Sequence, residues 1–332
     1  MHSTQDISPV YPGYFADPFI WKHEGIWYAV GTGALEAHGQ TDHAVEALTA
    51  NGEPGVFLLL KSPDLTTWTP LGSALELLEP EFGNAYWAPE VATAHNRFWM
   101  YYSVGREDKS HHIRVAVSKH PEGPFKDTGN LLTNPFTCPF AIDASPFQDE
   151  NGDWYLFYAR DFLDSDGGCR VGTGVVVDRL VNMTSLAGEE RVVARARFNW
   201  QRFQSDRIMY GSRYDWHTVE GPAVCRRNGR YWCLFSTGRW ENETYGVDWA
   251  FADSPLGPWL FEGSPEGARL LRTVPGRLIG PGHNCIVRGP EGTDHIVYHA
   301  WDPNMTARRM FIDDLEWTHL GPRCKGPAGT SR

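Results

Sequence analysis

Thr218-Val219-Glu220-Gly221-Pro222 sets a carboxylate at the head of a strand, between a β-branched run and a Gly-Pro turn. A similar grouping of residue types returns at Ala16-Asp17-Pro18, Ala88-Pro89-Glu90, Ile142-Asp143-Ala144-Ser145-Pro146 and Pro281-Gly282-His283-Asn284. Each time a short apolar residue, a polar one and a turn former are followed, about ten residues on, by an aromatic-rich strand. Self-similar units with ionisable residues at matching places predict a ring of sheets with chemistry at its centre.

Outward from each head the chain keeps one order: hairpin, polar insert, third apolar run, outer aromatic. The hairpin turns fall at Lys22 to Gly25, His95-Asn96, Glu150 to Asp153, Asn228-Gly229 and Gly289 to Asp294. Asn228-Gly229 is the strongest of these signals, because both residues tolerate the left-handed backbone of a two-residue turn. Pro121-Glu122-Gly123-Pro124-Phe125 in the second unit is matched by Pro255-Leu256-Gly257-Pro258-Trp259 in the fourth. Helical periodicity is almost absent. The expectation is an all-β, five-bladed β-propeller forming a single catalytic domain over residues 1–332, with four antiparallel strands per blade. The blades are placed roughly at 11–75, 85–130, 140–185, 215–262 and 280–320. Closure is expected from packing of the fifth blade on the first, without strand exchange.

Composition bounds the function. A formal charge of -11, from 30 basic and 41 acidic residues, argues against nucleic acid and suits a neutral substrate. The 14 Trp, 13 Tyr and 17 Phe supply packing between sheets and flat platforms for sugar rings. Six cysteines, Cys138, Cys169, Cys225, Cys233, Cys285 and Cys324, show neither a disulfide framework nor a zinc-finger spacing. No run of ~18 apolar residues points to a membrane span. The N-terminal stretch MHSTQDISPVYPGYF lacks a basic start and an apolar core, so the chain as given reads as cytoplasmic. A leader removed beforehand would make it secreted or periplasmic.

In a four-stranded blade the innermost strand comes first, so all heads converge on one mouth of the central channel. The inserts Gly31 to Gly55, Gly105 to His112, Asp161 to Arg170, Gly238 to Tyr245 and Trp301 to Arg308 form its rim. Asp17, Asp143 and Glu220 are the carboxylates such a mouth would gather. Glycosidic cleavage with inversion needs one carboxyl to protonate the leaving oxygen and one carboxylate, about 6.5–9.5 Å away, to activate water. A third acidic group near the acid raises its pKa by like-charge repulsion. Plainer readings stand beside these: Asp17 as a turn residue before Pro18, Asp143 as a cap through Ser145, Glu220 as an ion-pair partner, His283 as an anchor between blades. Glu90 is read as structural.

These runs, with Trp87-Ala88-Pro89-Glu90 and Arg308 to Trp317, resemble glycoside hydrolase family 43, in the family's order and over nearly the whole chain. The resemblance implies an inverting glycosidase on arabinose- or xylose-containing polysaccharides. It assigns Asp17 as general base, Glu220 as general acid and Asp143 as the residue that tunes that acid. It further implies Trp87 as an aromatic wall, Arg308 as a contact to the terminal sugar, and His283 as a substrate neighbour that binds a calcium ion through water. No cofactor is otherwise required. The inserts Gly31 to Gly55 and Asn182 to His217 are expected to crowd the mouth into a pocket, favouring an exo-acting α-L-arabinofuranosidase. A β-xylosidase, an endo-arabinanase and a non-catalytic carbohydrate-binding propeller are the alternatives.

Overall fold

The computed structural model describes residues 8–33 and 48–330. Most of the insert expected at Gly31 to Gly55 lies outside them. The first sheet is β1 (Ala16–His23), β2 (Ile26–Thr32), β3 (Gly55–Ser62) and β4 (Thr69–Glu76), paired in that order. The second repeats it with β5 (Ala85–Ala94), β6 (Arg97–Arg106), β7 (Lys109–Ser118) and β8 (Lys126–Leu131).

The third sheet departs from four strands. Its β9 (Ala141–Gln148), β10 (Trp154–Phe162) and β11 (Gly172–Val181) are flanked by short β12 (Ser185–Leu186) and β13 (Arg191–Arg195), both paired to β11. A hairpin, β14 (Arg202–Met209) and β15 (Ser212–His217), joins β11 through one parallel contact, Gly172 with His217. The fourth sheet holds only β16 (Val219–Arg227), β17 (Arg230–Thr237) and β18 (Gly246–Ala252) as strands. Single bridges to Leu260 and Leu271 stand where its outer strand was expected. The fifth is β19 (Ile279–Arg288), β20 (Asp294–Trp301), β21 (Arg308–Thr318) and β22 (Gly321–Cys324), so Trp317 belongs to the third strand, not the fourth.

The ring follows from period-two alternation. Phe57 and Leu59 of β3 point into a core shared with Tyr86, Met100 and Tyr102 of the second sheet, while Leu58 and Leu60 point the other way, onto Cys285, Val297 and Met310 of the fifth. Likewise Tyr101 packs with Leu156 and Tyr158, Phe157 with Phe235, and Leu234 with Tyr298. Five apolar clusters thus occupy the five seams between neighbouring sheets, and β1 packs against both β5 and β19 at the centre. Each buried Leu, Phe or Tyr contributes ~1.5–3 kcal/mol by leaving water. The last strand stays in the fifth sheet, as expected. Closure is not packing alone, however: Val10 N–H donates to the Met310 carbonyl and Phe15 N–H to that of Arg308, both at 2.9 Å. The segment before β1 therefore clasps β21.

Two of the hairpin turns, His95-Asn96 and Asn228-Gly229, are read correctly from sequence, while the turn expected over Lys22 to Gly25 tightens to Glu24-Gly25 because Lys22 and His23 stay in β1; all three have positive φ at both residues and link strands through two-residue loops. Gly123-Pro124 and Gly257-Pro258, from the matched pair of motifs, are both cis.

The feature that positions the site is a bulge near the start of every innermost strand. The register of β1, β5, β9, β16 and β19 slips there by one residue or more. At each slip one residue takes a left-handed backbone: Asp17 (φ 49), Ala88 (46), Asp143 (58), Gly221 (55) and His283 (47). A bulge re-aims a side chain that regular pleating would have sent between the sheets. The structurally equivalent heads are therefore 17, 88, 143, 221 and 283. Glu90 and Glu220, read from sequence as members of the repeat, sit beside the bulge instead of on it.

Candidate active site

The bulges deliver Asp17, Asp143 and His283 to the channel mouth, and Glu220 arrives one residue ahead of its own. A cavity of about 340 Å³ is lined by these four together with Trp87 and Arg308, so all six residues singled out from sequence meet in one place. Rim inserts add Asp108, Trp240, Glu241 and Tyr245, and the β14–β15 hairpin adds Phe203 and Arg207. Glu90 does not line this cavity. It is buried, bonded to Ser145, and burial raises its carboxyl well above the ordinary value.

Away from the mouth, several acids carry partners of their own. Asp127 takes a bidentate contact from Arg114 at 2.7 and 3.0 Å, Asp248 pairs with Arg269 at 2.6 Å, and Asp294 with Arg227 at 2.6 Å. Asp178 accepts three backbone N–H groups. Among the described residues Asp143 and Glu220 pair with no such cation, and a buried carboxyl without one favours its protonated form.

Asp17 is surrounded differently. His283 Nδ1 lies 3.3 Å, His299 Nδ1 3.2 Å and Arg308 Nη1 3.4 Å from its Oδ1. Burial works against its ionisation, yet His283, Arg308 and the bond to His299 together hold the carboxyl well below the usual value. Burial also lowers both imidazoles, His299 to about 4, so neither is charged at neutral pH. The permanent charge of Arg308 is then what keeps Asp17 ionised. Arg308 is itself fixed: its Nε and Nη2 meet Tyr14 Oη at 3.0 and 2.7 Å, and its guanidinium lies 4.6 Å from the Trp240 ring centre. The adjacent Arg309 turns away, to the Pro12 carbonyl and Asp302.

Asp143 and Glu220 form the opposite environment. Burial, then the charges of Glu220 and Asp17, push Asp143 well above the ordinary carboxyl value, against a 2.8 Å bond from Gly221 N–H. Burial raises Glu220 to about 7, although Tyr245 Oη donates to its Oε1 at 2.8 Å and Arg308 and Arg207 oppose the rise. Two like-charged neighbours cannot both ionise cheaply, so the pair holds a proton near neutrality. Gly282 makes room for this: a side chain there would strike the Tyr245 ring. The cavity thus presents one carboxylate and one proton-bearing carboxyl pair, the two halves of acid-base cleavage.

Trp87 stacks on His111 with centroids 3.6 Å apart, giving a flat wall. Tyr14, His299, Tyr245, Trp240, Phe203 and Arg207 were not found from sequence. Trp240 and Tyr245 fall inside the expected rim insert Gly238 to Tyr245, and Phe203 and Arg207 inside Asn182 to His217, but nothing local singles these side chains out, and Asp17 and His299 stand 282 residues apart.

A ring of sheets with paired carboxyls at its mouth defines a carbohydrate-cleaving β-propeller. Residues 7–321 match the family described as glycosyl hydrolases family 43, and the chain belongs to that family. It is a glycoside hydrolase, which answers the alternative of a non-catalytic propeller. The chain is 29% identical over 320 residues to the β-D-galactofuranosidase xynD of Aspergillus niger, covering 92% of this chain and 79% of that protein. It is 24% identical over 324 residues to the extracellular endo-α-(1→5)-L-arabinanase 1 of Bacillus subtilis, covering 92% and 86%. Among solved structures it is similar to a thermostable family-43 glycoside hydrolase, with TM-score 0.73 and 27% identity over 96% of this chain and 95% of that one. An endo-1,4-β-xylanase from Bacteroides thetaiotaomicron gives 0.71 and 28%, over 97% of each.

Proposed function

We propose that the chain is an inverting exo-glycosidase that releases a terminal pentofuranose, with α-L-arabinofuranosidase as the leading activity. Asp17 serves as the general base that takes a proton from water, Glu220 as the general acid that protonates the departing oxygen. Asp143 keeps a proton available to that acid by opposing its ionisation. The observation that carries this reading is the division of charge inside one cavity: Asp17 beside Arg308, and Glu220 beside Asp143 with no ion-paired cation among the described residues. Trp87 and Arg308 hold the sugar, the first by stacking and the second by hydrogen bonds to its hydroxyls.

A second reading, β-D-galactofuranosidase, is favoured by the Aspergillus niger relative. Both candidate sugars are five-membered furanose rings of related configuration, differing in the exocyclic carbon chain. Crowding of the mouth by Phe203 and Arg207 supports attack on chain ends.

Among the described residues no group of three or more His, Cys, Asp or Glu side chains is placed to hold an ion. Calcium takes six to eight oxygen ligands, so His283 could offer only a minor share of any such shell. The family match over most of the chain supports one catalytic domain spanning 1–332. Relatives whose names place them outside the cell support secretion over the cytoplasmic placement suggested by the N-terminal composition.

A panel of nitrophenyl glycosides with the product anomer followed by early-time proton NMR tests the proposal. Preference for the arabinofuranoside with an inverted product supports it and preference for the galactofuranoside supports the second reading; a retained anomer, or preference for xylopyranoside, overturns both.

A further inference from the structure

Beyond Glu220 lies a second, smaller cavity of about 90 Å³. It shares Glu220, Trp87, Phe203 and Arg207 with the first, but Asp17, Asp143 and Arg308 line only the first. This division has a chemical meaning. A general acid gives its proton to the glycosidic oxygen, so it stands at the boundary between the sugar under attack and the group that leaves. The base and its arginine belong to the attacked sugar. Space that touches the acid and not the base faces the leaving group.

We propose that the β14–β15 hairpin builds a leaving-group subsite in which Asp161 and Arg207 bind hydroxyls of the neutral sugar departing from Glu220. The inference rests on the glycosidase reading above and names the part of the substrate that this chain's own insert selects.

Asp161, one residue before the end of β10, lies on the wall of the smaller cavity. Tyr210 Oη, from the turn of the hairpin, donates to its Oδ2 at 2.6 Å, while its Oδ1 is buried with no partner among the described residues. An unmet carboxylate oxygen beside a cavity is costly unless a ligand donor fills it. Arg207 Nη2 meets Asp108 Oδ2 at 2.8 Å, and its guanidinium lies 5.0 Å from the Phe203 ring and 5.6 Å from that of Trp216. This contact ties the hairpin of the third sheet to the β6–β7 turn of the second and bounds the space on its outer side. Asp108 meets the charge of Arg207, leaving its other N–H groups suited to uncharged hydroxyls.

The test compares kcat/KM on the nitrophenyl glycoside cleaved best with kcat/KM on an oligosaccharide bearing the same terminal sugar. The aryl group offers no hydroxyls to the subsite. Asp161→Asn and Arg207→Ala should each lower the ratio of oligosaccharide to aryl activity by tenfold or more, chiefly through KM for the oligosaccharide. If Arg207→Ala does not fold, Asp108→Asn loosens the same bridge from the other side and should lower the ratio in the same direction. Ratios within threefold of wild type in folded variants would overturn the subsite. Wild-type inactivity on every glycoside would overturn the glycosidase reading, and the subsite with it.

Discussion

Asp17 and Asp143 occupy the same position in two blades, on the same left-handed bulge, and both are buried. One is held ionised and the other is pushed toward its neutral form. The backbone repeat decides where the carboxyl goes; the neighbour decides its charge. For Asp17 the neighbour is Arg308, brought from the start of β21 in the adjacent blade. For Asp143 it is a second carboxyl, Glu220, which the one-residue offset of the fourth bulge sets beside it. A near-symmetric scaffold thereby produces an acid and a base by varying what stands next to each head.

The comparison breaks most directly at the reacting groups. Asp17→Asn and Glu220→Gln should each lower turnover of an oligosaccharide by ~10²–10⁴-fold with the fold intact by circular dichroism. On aryl glycosides, whose leaving groups need less proton assistance, Glu220→Gln should lose less than Asp17→Asn; equal losses would count against the division of roles. Arg308→Met removes the charge that holds Asp17 down, so the acid limb of the kcat/KM profile should move to higher pH, with an activity loss of ~10-fold or more from the missing sugar contact. An unmoved limb would show that Arg308 does not govern Asp17.

Smaller effects sharpen the other half. Tyr245→Phe deletes a hydrogen bond to Glu220 that favours the ionised form, so the alkaline limb should rise by ~0.5–1 pH unit, about the net worth of one such bond. Gly221→Ala should destabilise the protein by ~1–2 kcal/mol in urea unfolding, because its φ of 55° disfavours a side chain and a Cβ there would lie 3.3 Å from the His283 ring.

Sequence reading reached the ring and its centre because both are written locally. Two-residue turns such as Asn228-Gly229 and alternation such as that of Phe57 to Leu60 need no distant information. The misplacements have a common cause. Reading follows ionisable residues, whereas the fold aligns left-handed ones, so Glu90 and Glu220 stood in for Ala88 and Gly221. The groups that set charge escaped notice, since nothing near Tyr14, Tyr245 or His299 announces a partner. Arg308 was reached only through family resemblance. The extra hairpin of the third sheet is hidden for a similar reason: β14 is largely polar, and its purpose lies in Phe203 and Arg207 facing a cavity made by other blades.

The pH dependence of kcat/KM on an aryl furanoside tests the division of charge most directly. Because Glu220 is raised to about 7, its acid form is present below that pH and lost above it; because Asp17 is held well below the ordinary carboxyl value, its base form persists through the range in which an ordinary carboxylate would take up its proton. The account predicts high activity near pH 5 and a fall with an apparent pKa of about 7. Activity that climbs as the pH passes through 7, or that is already lost with an apparent pKa of about 4, would contradict it.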